Sequence, residues 1–466
     1  MNRCSAAAYT AVAVCWLLFL PHLRAEDDSS LESRGELAQE SVHSELRANH
    51  PLNPDGGLFD FTSRQSLTSL DLEGDWYGSE VLRFHGRGIL QYLDSSKGIE
   101  KNTALVEGSV HYQSPSGSLF VDAGKILEEW GSGYSFNPVN VLIPPKNPDS
   151  PLKVREGVTM LKLELLFPES SLAAIVAGSE DGSSANQEFV LPDSKERRRF
   201  ALKLDHPAGQ VDLSWVHAQG GLNDVEVLNH MQGDPHEPAL MHPVNGVSWT
   251  AVFGDALELH GELAQHRGRS RLIAEKMQDA QTFPDGSVAV PEMYVYAVDE
   301  KGLDSNYAKF LVGGQYTFPN DINLMLELYH DQNGYSEEEW RKIKSGIKSA
   351  KVNNAWKDPR YSNTQGNPYA AFLQRTMLYL QQSGFRKNYG FIRLDSGEFA
   401  DRFHSESLLL ANLEDAGGVF RETLVAWRGD HWKLALGWTL FLGPELSEYG
   451  LSPVLNSAAV ELSYFF

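Results

Sequence analysis

The chain has 466 residues, 42% hydrophobic and 22% charged, with 62 acidic against 40 basic side chains and a formal net charge of -22. That composition suits a folded protein and not a disordered one, and the surplus of acid excludes the basic face that a nucleic-acid binder needs. A mean hydropathy of -0.33, with no apolar stretch of spanning length after residue 25, excludes a bundle of membrane-crossing helices.

Residues 1–25 carry Arg3, an apolar run over 6–20, a helix-breaking Pro21, and Ala25 before an acidic Glu26-Asp27-Asp28. This predicts a cleaved secretory signal ending at Ala25, because the run is too short for an anchor and no second span follows. Both cysteines, Cys4 and Cys15, lie inside it. The mature chain is then free of cysteine in a compartment that permits disulfides, which excludes disulfides and thiolate metal sites. Residues 26–75 are polar and acidic, with Pro51, Pro54, Gly56 and Gly57. They read as a flexible acidic N-terminal segment, periplasmic or a plug, ahead of a barrel over 76–466.

From residue 81 the pattern changes. Leu82, Phe84, Leu90 and Tyr92 fall on one face and Arg83, His85, Arg87 and Gln91 on the other, the two-residue period of a strand. The pattern recurs near 103–113, 118–127, 158–167, 171–178, 199–206, 209–218, 246–254, 256–265, 307–318, 322–331, 385–394, 405–414, 418–428, 431–441 and 457–466. Each stretch has roughly the nine to eleven residues that a tilted strand needs to cross a bilayer. The predicted fold is therefore all-β, a closed antiparallel transmembrane barrel of about sixteen strands, with fourteen to eighteen allowed. Links after even-numbered strands are mostly tiny and those after odd-numbered strands mostly long, as short turns at one rim and long loops at the other require. Two links, 395–404 and 415–417, break that parity. Residues 367–384 read either as a capped loop helix or, over 376–382, as a strand.

The chain ends Ser457-Ala458-Ala459-Val460-Glu461-Leu462-Ser463-Tyr464-Phe465-Phe466. Val460, Leu462, Tyr464 and Phe466 share one face. At this point the sequence resembles Gram-negative outer-membrane β-barrels of porin-like type. Their last strand ends in Phe and is read by barrel-assembly machinery, so the resemblance implies that these four residues are an assembly signal. A second likeness covers Val121-Asp122-Ala123-Gly124-Lys125, Glu129-Trp130-Gly131-Ser132-Gly133 and Phe136-Asn137-Pro138-Val139-Asn140, which resembles the strand, Trp-Gly and Asn-Pro segment of porin-like families. Some of those families have Arg or Gln at the positions of Lys125 and Ile126.

In hydrocarbon every backbone polar group must be paired within the protein, so a closed sheet is the spanning solution left. Sixteen strands enclose more space than side chains fill, which predicts an aqueous lumen. Alternation places Arg83, Arg87, Glu107, Asp122, Lys125, Lys162, Glu164, Asp212, Glu258, Glu262, Glu327, Arg393, Lys433 and Glu461 on its wall. Their mixed signs allow either facing ladders with a transverse field or ion pairs along the wall. Tyr92, Tyr112, Phe167, Trp215, Trp432 and Phe441 stand near strand ends, as interfacial girdles do. The loop over 128–156, with Tyr134, Phe136 and Ile143-Pro144-Pro145, either folds inward to narrow the pore or packs over the rim.

His230, His236 and His242 are weak metal candidates, since their six-residue spacing fits no compact site and solvated loop histidines are the default. Ser336-Glu337-Glu338-Glu339-Trp340 has the spacing of a capping box. Asp331-Gln332-Asn333-Gly334 begins like a calcium loop but lacks its later ligands. Nothing marks a nucleophile and no cofactor is implied, so the expectation is a channel and not an enzyme. Its expected partners are outer-membrane lipid and lipopolysaccharide, the assembly machinery and a possible homo-oligomer, with no nucleic acid. The alternative is a closed or plugged barrel acting as an outer-membrane enzyme or structural surface protein.

Overall fold

A computed structural model describes residues 30–143, 146, 154–178, 199–219, 243–268, 272–299, 302, 305–361, 366–380, 385–397 and 403–466. The expected signal, 1–25, and the histidines at 230, 236 and 242 lie outside these.

Eighteen strands pair side by side into one antiparallel sheet that closes on itself. They are β1 (Ser30–Leu46), β2 (Arg64–Ser79), β3 (Leu82–Ser95), β4 (Gly98–Gln113), β5 (Leu119–Ile126), β6 (Val158–Phe167), β7 (Ser170–Ala177), β8 (Arg199–Ala208), β9 (Val211–Gln219), β10 (Val244–Phe253) and β11 (Leu257–Arg267). The ring continues through β16 (Asn306–Thr317), β17 (Asn323–Asp331), β18 (Asn388–Asp395), β19 (His404–Asn412), β20 (Gly418–Arg428), β21 (Trp432–Leu442) and β22 (Val454–Phe465). Strands β12 (Leu272–Gln278), β13 (Gln281–Thr282), β14 (Val288–Val290) and β15 (Met293–Val298) form two small hairpins outside the ring.

Every stretch read as a strand from residue 81 onward is one. The flexible segment expected over 26–75 is corrected: β1 and β2 are wall strands, and β1 closes the ring by pairing with β22 from Glu36↔Phe465 to Leu46↔Val454. They raise the count from about sixteen to eighteen and leave parity unchanged. The 396–403 link lies on the turn rim and the 413–417 link on the loop rim, so the two irregular lengths do not break the alternation of rims. Residues 367–384 contain a helix, not a strand.

The outer face is apolar because alternate residues must meet lipid. Leu161, Leu163 and Leu165 on β6, Phe200, Leu202 and Leu204 on β8, and Leu326 and Leu328 on β17 are all exposed. Tyr92, Tyr112, Phe167 and Trp432 are exposed near strand ends, whereas Trp215 is exposed at the middle of β9 and not at an end, and Phe441 packs inside against the buried cluster that holds its strand partner Val419. Its odd number puts it on the inner face of β21, at the opposite end from Lys433.

The loop rim from β11 round to β2 carries a folded cap. Its helices are α1 (Glu337–Lys351) and α2 (Pro368–Leu380). Ser336 and Glu339 close the expected capping box, each accepting the other's backbone N–H, and the Asn367 side chain accepts from the Tyr369 and Ala370 N–H groups at the start of α2. Trp340, Ile343 and Ile347 of α1, Phe372 and Leu373 of α2, and Tyr296 of β15 share one buried core. Arg386, fully buried, donates to Glu337 and Glu414 and lies 5.4 Å from the Trp340 ring, tying α1 to the wall. Glu337 is held below the usual carboxylate range by that guanidinium.

Candidate functional site: a constricted lumen

The loop after β5 folds into the barrel. Trp130, Val139, Leu142 and Ile143 pack against Val158, Met160, Ile175 and Val216 of the wall. Farther round, Phe136 stacks on Tyr329 at 4.0 Å and Tyr134 tilts against Phe391. The strand walls that face this loop are lined by small and apolar residues such as Ala177, Ala201, Ala218, Leu408 and Leu410, which suits a packed interior and not a wetted one.

Two glutamates pin the loop. Glu262 accepts the N–H groups of Ser132 and Gly133, both at 2.7 Å, and of Val139 at 3.1 Å. Glu327 accepts those of Tyr134 at 2.6 Å and Ser135 at 2.9 Å, and lies 3.1 Å from His260 Nε2. Both carboxylates stand near mid-strand on β11 and β17, so the loop reaches the middle of the lumen. Gly131 (φ +97) and Gly133 permit the approach. A Cβ at Gly131 would lie 2.4 Å from Glu262 Oε1, and one at Gly133 would lie 2.0 Å from the Phe136 carbonyl. Arg199 donates to the Leu142 carbonyl and Lys146 to that of Gly133; burial pushes the Lys146 ammonium below its ordinary range.

The remaining arc, from β18 through β22 and β1 to β6, is charged. Arg83 pairs with Asp75 at 2.8 Å and Arg87 with Asp71 at 2.6 Å. Lys162 meets Glu128 at 3.1 Å, Glu164 at 3.2 Å and Asp122 at 4.0 Å. Arg393 binds Glu406 at 2.6 Å and also Asp395, and Lys433 pairs with Glu461 at 2.7 Å and Glu36 at 3.8 Å. Arg393 also lies 5.1 Å over the Tyr134 ring, so the constriction loop meets the charged arc there. Burial pushes the Tyr134 phenol up to about 12, which keeps it neutral.

Arg83, Arg87, Glu107, Asp122, Lys162, Glu164, Asp212, Glu258, Arg393, Lys433 and Glu461 thus sit on the inner face. Glu262 and Glu327 also point inward, but they are buried under the loop instead of lining open space. Lys125, of opposite parity to Asp122, pairs with Glu156 at 2.7 Å near the loop rim and not with the Asp122 cluster. Signs are not segregated into facing ladders, since each of these wall cations has a carboxylate partner.

Sequence reading missed Asp71, Glu73 and Asp75, although Leu70, Leu72 and Trp76 alternate with them. It placed His85 on the polar face of its strand without naming it as a lumen residue, and it passed over His111. His111 Nδ1 lies 2.6 Å from Asp122 and its Nε2 2.9 Å from the Ser109 hydroxyl, a Ser-His-Asp chain inside the lumen. Ser109 is mostly buried, and its strand is paired on both sides through this stretch, leaving no free backbone N–H pair to receive an oxyanion. Glu73, Asp75 and His85 bring ligand-type atoms within 4.8 Å of one another, but Arg34 and Arg83 occupy the two carboxylates.

No family model matches the chain and no curated protein does. Among solved structures it is similar to Pseudomonas aeruginosa OccK5 (12% identity, TM-score 0.46, covering 94% of this chain and 98% of that one). It is also similar to Acinetobacter baumannii OccAB1 (10%, 0.49, 94% and 97%) and to the A. baumannii outer membrane channel DcaP (10%, 0.39, 95% and 99%). The sheet closure and the apolar outer face of this chain stand independently of those likenesses: it folds as a closed eighteen-stranded antiparallel β-barrel, the architecture of porins.

Proposed function

We propose that the protein is a channel of a Gram-negative outer membrane that passes small polar solutes and prefers cations. The observation that carries this reading is the inward loop, which packs one side of the interior and leaves a charged arc opposite. Acid outnumbers base on that arc, because Lys162, Arg393 and Lys433 each meet two or more carboxylates while Glu107 faces a neutral-capable partner, His85. Surplus carboxylates beside a narrow passage raise the local concentration of cations. In a potassium chloride gradient across a planar bilayer, the reversal potential is expected to have the sign of cation selectivity. A reversal potential of the opposite sign would overturn this preference.

The Ser109-His111-Asp122 chain favours a second reading, an enzyme. The N–H groups of its own strand around Ser109 are taken up in pairing, so a fluorophosphonate probe is expected to leave Ser109 unmodified. An adduct abolished by Ser109→Ala would support the enzyme instead.

A further inference from the structure

Two imidazoles on the charged arc share one arrangement. His85 of β3 and His111 of β4 point into the lumen, and each has one ring nitrogen fixed by a carboxylate. His85 Nδ1 lies 3.0 Å from Asp75 Oδ1, and His111 Nδ1 lies 2.6 Å from Asp122 Oδ1. An ionised carboxylate only accepts, so each Nδ1 carries the hydrogen and each Nε2 is left with its lone pair. This carboxylate behind the imidazole is the second shell that metal-bound histidines have. Asp75 is held in turn by Arg83 at 2.8 Å, and Asp122 lies 4.0 Å from Lys162, so both acids orient rings and are not themselves ligands.

The two Nε2 atoms face groups of one strand, β4. His85 Nε2 lies 3.7 Å from Glu107 Oε2, where a lone pair meets an ionised oxygen with no hydrogen between them, and a cation there resolves the contact. Arg87 is committed elsewhere, pairing with Asp71 at 2.6 Å. The other oxygen of Glu107 is fixed by the Leu127 N–H at 3.1 Å. Two atoms bound to one zinc ion at about 2.0–2.1 Å in tetrahedral geometry stand about 3.4 Å apart, close to the observed gap. His111 is the third candidate ligand. Its Nε2 takes the Ser109 hydroxyl at 2.9 Å, and Ser109 is directly across from His85 in the sheet. The two ring centroids are 6.5 Å apart. Imidazoles that share a zinc ion stand about 5–5.5 Å apart, so the rings need to close by about 1 Å as the serine hydroxyl gives way. His85, Glu107 and His111 are 11%, 21% and 29% exposed, so an ion in the lumen reaches them and a fourth position is left for water.

We propose that His85, Glu107 and His111 form a binding site on the lumen wall for a divalent transition-metal ion of the zinc and copper class. Two imidazoles and one carboxylate suit those ions, whereas calcium and magnesium take shells of oxygen. Retention of the ion does not depend on whether the lumen conducts.

Copper(II) titrated into the untagged, refolded full chain at neutral pH tests this by electron paramagnetic resonance. The background carries Cys4→Ser, Cys15→Ser, His230→Gln, His236→Gln and His242→Gln, which removes the thiols and the loop imidazoles. A saturable copper signal with nitrogen couplings is expected, and zinc should displace it. His85→Gln, Glu107→Gln and His111→Gln should each weaken binding by at least the roughly tenfold that loss of a second-shell partner alone costs, while the heat-modifiable mobility of the folded barrel stays unchanged. The combined His85→Gln, His111→Gln variant should lose the nitrogen couplings of this site. No saturable copper in the folded background chain, the result if His85 instead holds a second proton between Asp75 and Glu107, would overturn the proposal. So would a signal and affinity that persist in the folded double variant, which would mark the copper as adventitious.

Discussion

Glu262→Leu should widen the channel and weaken the fold. The substitution removes the acceptor for the Ser132, Gly133 and Val139 N–H groups, and each buried donor left unpaired costs about 1–3 kcal/mol. Part of that cost is offset because the wild-type carboxylate is itself buried, and transferring a charge from water is expensive. The loop relieves the remainder by leaving the wall and letting its donors reach water. Single-channel conductance is expected to rise about twofold or more as the constriction opens, with a lower melting temperature. Glu262→Gln keeps one carbonyl oxygen in place and should fall between the two. An unchanged conductance in a stably folded Glu262→Leu would show that the loop does not set the passage.

Gly35→Leu should block closure of the barrel. Gly35 donates to the Phe466 carbonyl at 2.8 Å and accepts from the Phe466 N–H at 3.0 Å, which makes it the last link of the β1–β22 seam. A Cβ there would lie 2.4 Å from the Phe466 ring and 3.1 Å from Leu72. Overpacking of this kind costs typically 1–3 kcal/mol in a core that can yield. Here the yielding element is the terminal strand, so the yield of heat-modifiable, folded barrel should fall sharply. Because the clash is with the ring, Phe466→Ala in the same chain should restore part of that yield. Failure of the double variant to recover would place the defect in the backbone of β1 and not in the seat of the terminal ring.

Much of the barrel was legible because lipid on one side and a polar interior on the other force a period of two, which survives from Leu82 to Phe466. β1 escaped detection for a physical reason. Its outer face reads Ser33, Gly35, Leu37, Gln39, Ser41 and His43, with Leu37 the single large apolar side chain among them, so its two faces differ little in hydropathy, and pairing with β2 and β22 identifies it. β2 was more readable, since Asp71, Glu73 and Asp75 alternate with Leu70, Leu72 and Trp76. Alternation also cannot tell open lumen from lumen filled by a loop. Glu262 and Glu327 point inward as expected, yet their neighbours are backbone N–H groups brought from more than a hundred residues away. Lys125 was misassigned because it and Asp122 differ in parity, and Gly124, with φ +134, distorts the strand between them. The loop likeness over 129–140 fell on the constriction itself, where Gly131 and Gly133 allow the close approach to Glu262.

The central claim is that a closed barrel with an inward loop still conducts. Recording from the full refolded chain in a planar bilayer tests it most directly. Discrete conductance steps in the wild type, larger in Glu262→Leu, are the predicted result. A wild type that inserts as a folded barrel yet passes no current, with Glu262→Leu equally silent, would contradict the account.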